Sequence, residues 1–386
     1  MVLSVFLCTF VPINMTQIED YFFALVRAAL KGGIQEETLA TMMPTDEEWQ
    51  RLYTMAWQQS LIGMLFTVVG KLQMPPSVAK RWIGNAEKIR GQNQLQNSEA
   101  ARLTQLFAEK GHRTAILKGQ ANALFYPDPL TRQIGDIDIW VEGGKDEVLQ
   151  MLLSSPEFGK TDIGQKKTWN HHFRLPPNEK GVVIEVHFRP SSGNFYPITN
   201  HRMQRWLEDE IKNTTMVEEG FNVPSAQFAL VMQLAHILHH ILDSGIGLRQ
   251  ICDYYCLLKA STEEDRTTVA TLLKRFGLYQ AAGALMWVLH EQLGMDKQLL
   301  LCEANPKRGT WMLEEIMKGG HFGRFAALQN TNNDISFFLK KVRRQMQMIP
   351  FAPLEVIWLQ LTYWKRLFKR IPERIQYRRL SLRKIA

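Results

Sequence analysis

The sequence predicts an α+β chain that is mainly α, with a small strand-bearing core set between helical flanks. Three observations predict it. Apolar residues recur at helical spacing before about Lys110 and again from Ser225 onward. Strand-like alternation is confined to the stretch between Arg113 and Arg189, and glycine and proline gather where one pattern gives way to the other.

In the N-terminal flank a helical run from Glu19 to about Leu30 meets Gly32 and Gly33, a C-terminal stop. Thr45 with Glu48 forms a capping box ahead of Trp49, Leu52 and Met55. A third run precedes Pro75 and Pro76, and a long one covers roughly Asn93 to Lys110 and ends at Gly111. Strand sequence follows from Arg113. Gly143 and Gly144 mark a turn after the strand that holds Asp136, and Lys145 to Leu153 fits a short helix. His171–Leu175 and Val182–Arg189 read as two strands of a hairpin around the turn formers Pro176 to Gly181. Beyond Pro190 the helical period returns in Ser225–Leu242, Gly247–Lys259, Glu263–Phe276, Tyr279–Leu293 and Arg308–Lys318.

With 386 residues the chain has room for two or three domains, and 45% hydrophobic with 22% charged residues is the balance of a folded globular protein. The expected divisions are an apolar extension at 1–14, a helical region at 15–111, the core at 112–222, a second helical region at 223–335 and a basic amphipathic tail at 336–386. The first fourteen residues, MVLSVFLCTFVPIN, are shorter than the roughly 20 a membrane helix needs and lack a basic leader, so they predict no export. They read as a mis-assigned start or a short extra strand. Cys8, Cys252, Cys256 and Cys302 are too few for a disulfide framework and read as reduced thiols, with zinc a remote second choice.

Net charge is +8, but from Lys340 to Ala386 thirteen Lys and Arg face two acidic residues, so the rest of the chain carries −3. A protein built throughout for nucleic acid would spread its positive charge over the site face. The tail mixes Trp358, Tyr363, Trp364, Leu367 and Phe368 with Lys365, Arg366, Lys369 and Arg370, which suits a packed terminal helix, peripheral contact with an anionic membrane, or nucleic-acid contact.

Chemistry concentrates in TAILKGQANALFYPDPLTRQIGDIDIWVE, residues 114–142. Strand side chains alternate faces, so Asp136 and Asp138 share one face while Ile137, Ile139 and Val141 share the other. Adjacent carboxylates repel unless a cation joins them, and magnesium prefers such hard oxygen ligands together with substrate phosphates. Upstream, Lys118 and Gly119 form a tight turn into a helix start, where exposed N–H groups favour phosphate. In the later strand Val183, Glu185, His187 and Arg189 share a face, and a carboxylate there is costly to bury unless paired or metal-bound.

Taken together, Lys118-Gly119, Tyr126-Pro127, Arg132, Asp136-Ile137-Asp138 and Glu185-Val186-His187 resemble the uncharacterised bacterial nucleotidyltransferases of the DNA polymerase beta superfamily, closely over residues 113 to 190 and more loosely to about Lys259. The resemblance implies a polymerase-beta-like core with a small mixed sheet and flanking helices, and a transferase that moves a nucleoside monophosphate from a nucleoside triphosphate, ATP among them, to a hydroxyl acceptor. It implies two Mg²⁺ ions, or Mn²⁺, held by Asp136, Asp138 and Glu185, and phosphate contacts from Lys118, Gly119, Gln120 and Arg132. Two positions depart from the superfamily pattern: Gln120 stands where serine or a second glycine is common, and Glu185 where aspartate is. The alternative is a non-catalytic relative that acts as a binding or scaffold protein, in a toxin system or at a membrane. A cytoplasmic location is expected, with attachment to the inner membrane face as the variant.

Accessory residues are weighed on spacing. His187 lies on the carboxylate face, where it would orient Glu185, touch substrate or make a structural bond. Alternation turns one of His171 and His172 away from the site. His236, His239 and His240, at i, i+3 and i+4, share a helix face that suits a cleft wall better than zinc, since no H-E-x-x-H pattern accompanies them. Arg249 and Asp253, four apart, read as a helix-surface or interhelical pair.

Overall fold

The expected hairpin forms, and its second strand becomes the centre of the sheet. In the computed structural model, which describes residues 15–33, 41–158, 171–320, 334–349 and 351–376, β1 (Thr114–Ile116), β2 (Ile137–Val141), β3 (His172–Arg174) and β4 (Ile184–His187) lie in the order β1-β2-β4-β3. β1 pairs antiparallel with β2, β2 parallel with β4, and β4 antiparallel with β3, so the sheet is mixed. Residues 1–14 and the tail beyond Gln376 lie outside the described residues, as do the side chains of Arg366, Leu367, Phe368, Lys369 and Arg370.

Helices α1 (Gln17–Lys31), α2 (Asp46–Gln58), α3 (Ile62–Val69) and α4 (Pro76–Glu109) precede the sheet. The capping box at Thr45 is present, and Gly32 closes α1 at φ 78°, a left-handed value that glycine adopts without strain. Helix α4 is much longer than its expected Asn93 start. Pro76 occupies its first turn, where a missing N–H costs nothing, and the helix runs unbroken through Gly84 and Gly91. Between β1 and β2 lies the four-residue α5 (Gln120–Ala123), and between β2 and β3 lies α6 (Gly144–Ser154). Then come α7 (Pro197–Glu210), the ribbon of β5 (Thr214–Met216) and β6 (Asn222–Pro224), α8 (Ala226–Asp243), α9 (Leu248–Ala260), α10 (Glu263–Leu272), α11 (Tyr279–Trp287) continuing into a π turn at Val288–Gln292, α12 (Pro306–Gly319), α13 (Asp334–Gln347) and α14 (Pro353–Gln376). Helix α7 and the ribbon escape the sequence reading, because their short patterns sit among polar residues.

Two hydrophobic clusters set the position of the site. One face of the sheet, with Ile137, Ile139, Val141, Ile184, Val186 and Phe173, packs on Leu103 and Phe107 of α4 and on Val148 and Leu152 of α6. Full burial of side chains this size is worth roughly 1.5–3 kcal/mol each, which pins the register of each strand. The second cluster joins helices from both ends of the chain, α1 to α3 with α8, α9, α11 and α12, and reaches the other face of the sheet at Ala115, Leu117 and Trp140. That other face carries the polar residues, in a seam between sheet and helices. Cys252 and Cys256 are buried free thiols on α9 and Cys302 is a half-buried one. No helix among the described residues is long and apolar enough to cross a membrane.

Candidate active site

The parallel pairing of β2 and β4 puts Asp138 opposite Glu185 and Trp140 opposite His187, and the antiparallel pairing of β3 puts Arg174 opposite Glu185 and His172 opposite His187. Directly opposed residues share a face, so one row of functional side chains crosses three strands. Asp138 is 2% exposed and Glu185 is 8% exposed. Single ligand atoms from Asp138, Glu185 and His187 all lie within 4.8 Å of one another, a span that one metal ion can bridge. Asp136 precedes β2, is half-buried and stands outside that trio, yet its charge acts on both Lys118 and Glu185.

Two nitrogen groups converge on Asp138. Lys118 Nζ lies 3.2 Å from Asp138 Oδ1, and His187 Nε2 is 3.0 Å from the same oxygen. Burial pushes the Asp138 carboxyl up, but Lys118 and the His187 contact outweigh it and hold the carboxyl well below the usual range. Burial likewise lowers Lys118, and Asp138, Asp136 and Glu185 more than reverse that, so the ammonium stays charged. Glu185 goes the other way. Burial, then the charges of Asp138 and Asp136, raise it to about 8, although Arg174 Nη1 donates to its Oε1 at 3.0 Å. Two neighbouring carboxyls with pKa values pushed apart mark crowded negative charge in a dry place.

The histidines depart from simple alternation. The rings of His171 and His172 both converge on His187, with centroids 5.3 Å and 4.9 Å away. His171 escapes the pleat because it precedes β3, and its carbonyl accepts from both Phe188 N–H at 3.1 Å and Arg189 N–H at 3.2 Å, an irregularity of the bulge kind. Burial, with neighbouring positive charge, lowers His171 to about 2 and His172 to about 3, so both rings are neutral near pH 7.

On α8, His236 and His240 stack edge to face at 4.3 Å, and burial followed by Lys118 or a neighbouring histidine holds both rings neutral, His240 at about 3. His236 is within electrostatic reach of Lys118 and His171 and lines the seam. His239 turns aside to lie against Phe195 at 4.5 Å, with its Nδ1 3.1 Å from the Gly193 carbonyl. These three do not gather as metal ligands among the described residues.

Gly119 has φ 64° and ψ −106°, a combination that side-chain-bearing residues avoid, and it starts α5. Gln120 is buried, and its amide donates to Gln96 Oε1 on α4. The Arg132 guanidinium makes a buried two-pronged pair with Asp253 of α9, both contacts at 2.7 Å. Fork-to-fork bonding satisfies the charge that burial would otherwise penalise. Asp253 is therefore the partner of Arg132 and not of Arg249, whose Nη1 donates to the carbonyls of Gln133 and Ile134 at 3.0 and 3.2 Å. Burial, then Arg132, lowers the Arg249 guanidinium to about 10.

Tyr126, part of the family pattern, donates to Asp253 Oδ1 at 2.7 Å. Sequence reasoning misses other residues that hold this arrangement: Asn122 and Gln233 exchange amide bonds at 3.1 and 2.8 Å. From α4, Asn93 donates to the carbonyls of Leu130 and Arg132 at 2.8 Å, and Gln96 to that of Gly135 at 2.7 Å. The segment between the Gly119 turn and Asp136 is thus fastened to α4, α8 and α9. The available signal was a run of polar residues, Asn93, Gln96 and Glu99, on the face of α4 that also carries Ala100 and Leu103.

A family model described as an uncharacterised nucleotidyltransferase matches residues 45–294, which include every residue of the row. No curated protein matches the chain. Among solved structures, the crystal structure of an antigenic nucleotidyltransferase-like protein from Paracoccidioides brasiliensis is similar at 19% identity over 48% of this chain and 90% of that one. Its TM-score of 0.28 is too low for the likeness to bear on the fold.

Proposed function

We propose, for a chain that belongs to the uncharacterised nucleotidyltransferase family, that it is a magnesium-dependent transferase moving a nucleoside monophosphate from a nucleoside triphosphate to a hydroxyl acceptor. The observation that carries this reading is the register of β2 on β4, with Asp138 and Glu185 directly opposed beside Lys118. The donor set fits the ion. Buried carboxylate oxygens that crowd one another strongly enough to raise Glu185 to about 8 are what a hard divalent cation relieves.

Asp138 and Glu185, with Asp136 as the third carboxylate, would hold Mg²⁺, and Mn²⁺ would serve in its place. Bound there, the metal would polarise the phosphoryl oxygens and ease ionisation of the acceptor hydroxyl. Lys118 would transfer its ammonium from Asp138 to a phosphate oxygen as a point charge. The Gly119 turn would bring backbone N–H groups near the β- and γ-phosphates. Glu185, with a carboxyl that titrates near neutrality, is suited to take the acceptor proton. Arg132 acts at one remove, by locking the loop that carries Asp136.

The experiment is a melting series with each of the four nucleoside triphosphates and Mg²⁺, followed by pyrophosphate release with a mixed acceptor extract. A ligand bound only by the folded state at about 100 times its Kd adds roughly 2.7 kcal/mol, a shift easily measured. Release should be lost in Asp138→Asn. A second reading, a non-catalytic scaffold, draws on Gln120, whose buried amide supplies no hydroxyl to the phosphate turn. It expects binding without pyrophosphate release.

Helix α14 supports an additional proposal for partners. Glu355 anchors it by accepting from the N–H groups of Phe195 and Tyr196 at 2.6 and 3.1 Å, and Val356 and Leu359 are buried. Leu354, Ile357, Leu361 and Trp364 are exposed at i, i+3, i+7 and i+10, one apolar stripe on a basic helix. Such a stripe suits the interface of an anionic membrane.

A further inference from the structure

Beside the carboxylate pair stands a second donor set of different chemistry. One ring nitrogen from each of His171, His172 and His187 lies within 4.8 Å of the other two. His172 Nδ1 and His171 Nε2 are 3.0 Å apart, and Glu185 Oε2 lies 3.5 Å from His172 Nε2. Around a tetrahedral zinc with bonds of about 2.0–2.1 Å, ligand atoms stand roughly 3.4 Å from one another, so small ring rotations would close the shell.

His187 supplies an independent pointer. Its Nε2 is fixed by Asp138 Oδ1 at 3.0 Å, while its buried Nδ1 has no hydrogen-bond partner among the described residues. A buried ring nitrogen without a partner is costly, and a carboxylate that steadies one nitrogen of an imidazole while the other is open is the usual setting of a metal-ligating histidine. Imidazole donors select against magnesium, which takes oxygen, and toward zinc, cobalt, nickel and related ions.

We infer that His171, His172 and His187, with the Glu185 carboxylate alongside, form a site for one transition-metal ion of the zinc class, distinct in its nitrogen donors from the magnesium site on Asp136, Asp138 and Glu185, whose Glu185 it adjoins. The inference does not rest on nucleotide transfer, since the ligands come from β4 and from the bulged start of β3. An ion there would lie against Glu185 and Asp138. It would add positive charge where those carboxylates now rely on Lys118 and Arg174.

The test uses the full chain, free of any affinity tag and stripped with a chelator, titrated with Co²⁺ alone and followed by visible absorption. The expected result is one equivalent bound with the d–d bands of low-coordinate cobalt, displaced by stoichiometric Zn²⁺ and resistant to a large excess of Mg²⁺. His171→Ala and His172→Ala should each weaken Co²⁺ by about tenfold or more. His171 is only partly buried, and circular dichroism with melting checks that both variants keep the fold. Absence of the bands, equal binding by the His171→Ala/His172→Ala double variant, or ready displacement by Mg²⁺ would each overturn the inference. None of these readouts involves a triphosphate, so failure of nucleotide binding leaves the result interpretable.

Discussion

Asp138 and Glu185 face each other across two parallel strands, one held ionised by Lys118 and His187 and the other raised to about 8 by its burial and by that same neighbour. The asymmetry has consequences that can be measured without knowing the acceptor.

Glu185 binds its proton more tightly in the folded chain than in the unfolded one. Its contribution to stability is therefore complete below about pH 4.5 and is lost as pH rises through about 8. In metal-free protein, Glu185→Gln removes that loss, so it should raise the melting temperature near pH 8 by a few degrees and change it less near pH 5. Mg²⁺ affinity of the wild type should rise over the same interval, because the proton must leave first. Melting and Mg²⁺ titration at several pH values check both.

The buried pair of Arg132 and Asp253 should dominate local stability. Both side chains are 5% exposed or less, so Asp253→Ala strands a guanidinium and should cost about 3–5 kcal/mol in denaturant unfolding. An Arg132→Met/Asp253→Leu double variant should cost clearly less than the two single changes together, because it removes both charges.

Gly119→Ala asks a β-carbon to adopt φ 64° and ψ −106°. No atom clashes with that carbon, the nearest being the Asp136 carbonyl oxygen at 3.6 Å, so the cost is backbone strain of about 1–3 kcal/mol. The variant should also bind Mg-triphosphate more weakly, since the turn must shift. Unfolding curves and a triphosphate titration separate the two effects.

On α14, Leu361→Glu alters an exposed residue and should leave stability within about 0.5 kcal/mol. Leu361→Glu and Trp364→Glu should each lower co-sedimentation with anionic vesicles. If the wild-type chain does not sediment with such vesicles at any salt concentration, the stripe has no membrane role.

Much of this architecture was legible from residues alone, and the gaps have physical causes. Alternation placed Asp138 and Glu185 on polar strand faces, and the hairpin was readable from Pro176 to Gly181 because turn residues act locally. Which strands pair, and in what register, depends on long-range packing, so the direct opposition of the two carboxylates could only be expected from the family resemblance. His171 misled because alternation holds inside a pleat and fails at a bulge. The pairing of Arg132 could not be read from the sequence because Asp253 is 121 residues away on α9, beyond any local pattern. The first half of α4 was missed since Gly84, Gly91 and many exposed polar residues dilute its apolar stripe of Val78, Trp82, Ala86 and Ile89.

The most direct test is calorimetric titration of Mg²⁺ with a non-hydrolysable nucleoside triphosphate into the wild type, Asp138→Asn and Glu185→Gln. Triphosphate binding that requires Mg²⁺ and weakens by about tenfold or more in each variant is the expected result. Binding that is unchanged in both variants, or that proceeds equally well without the metal, would contradict the assignment of these opposed carboxylates as its ligands.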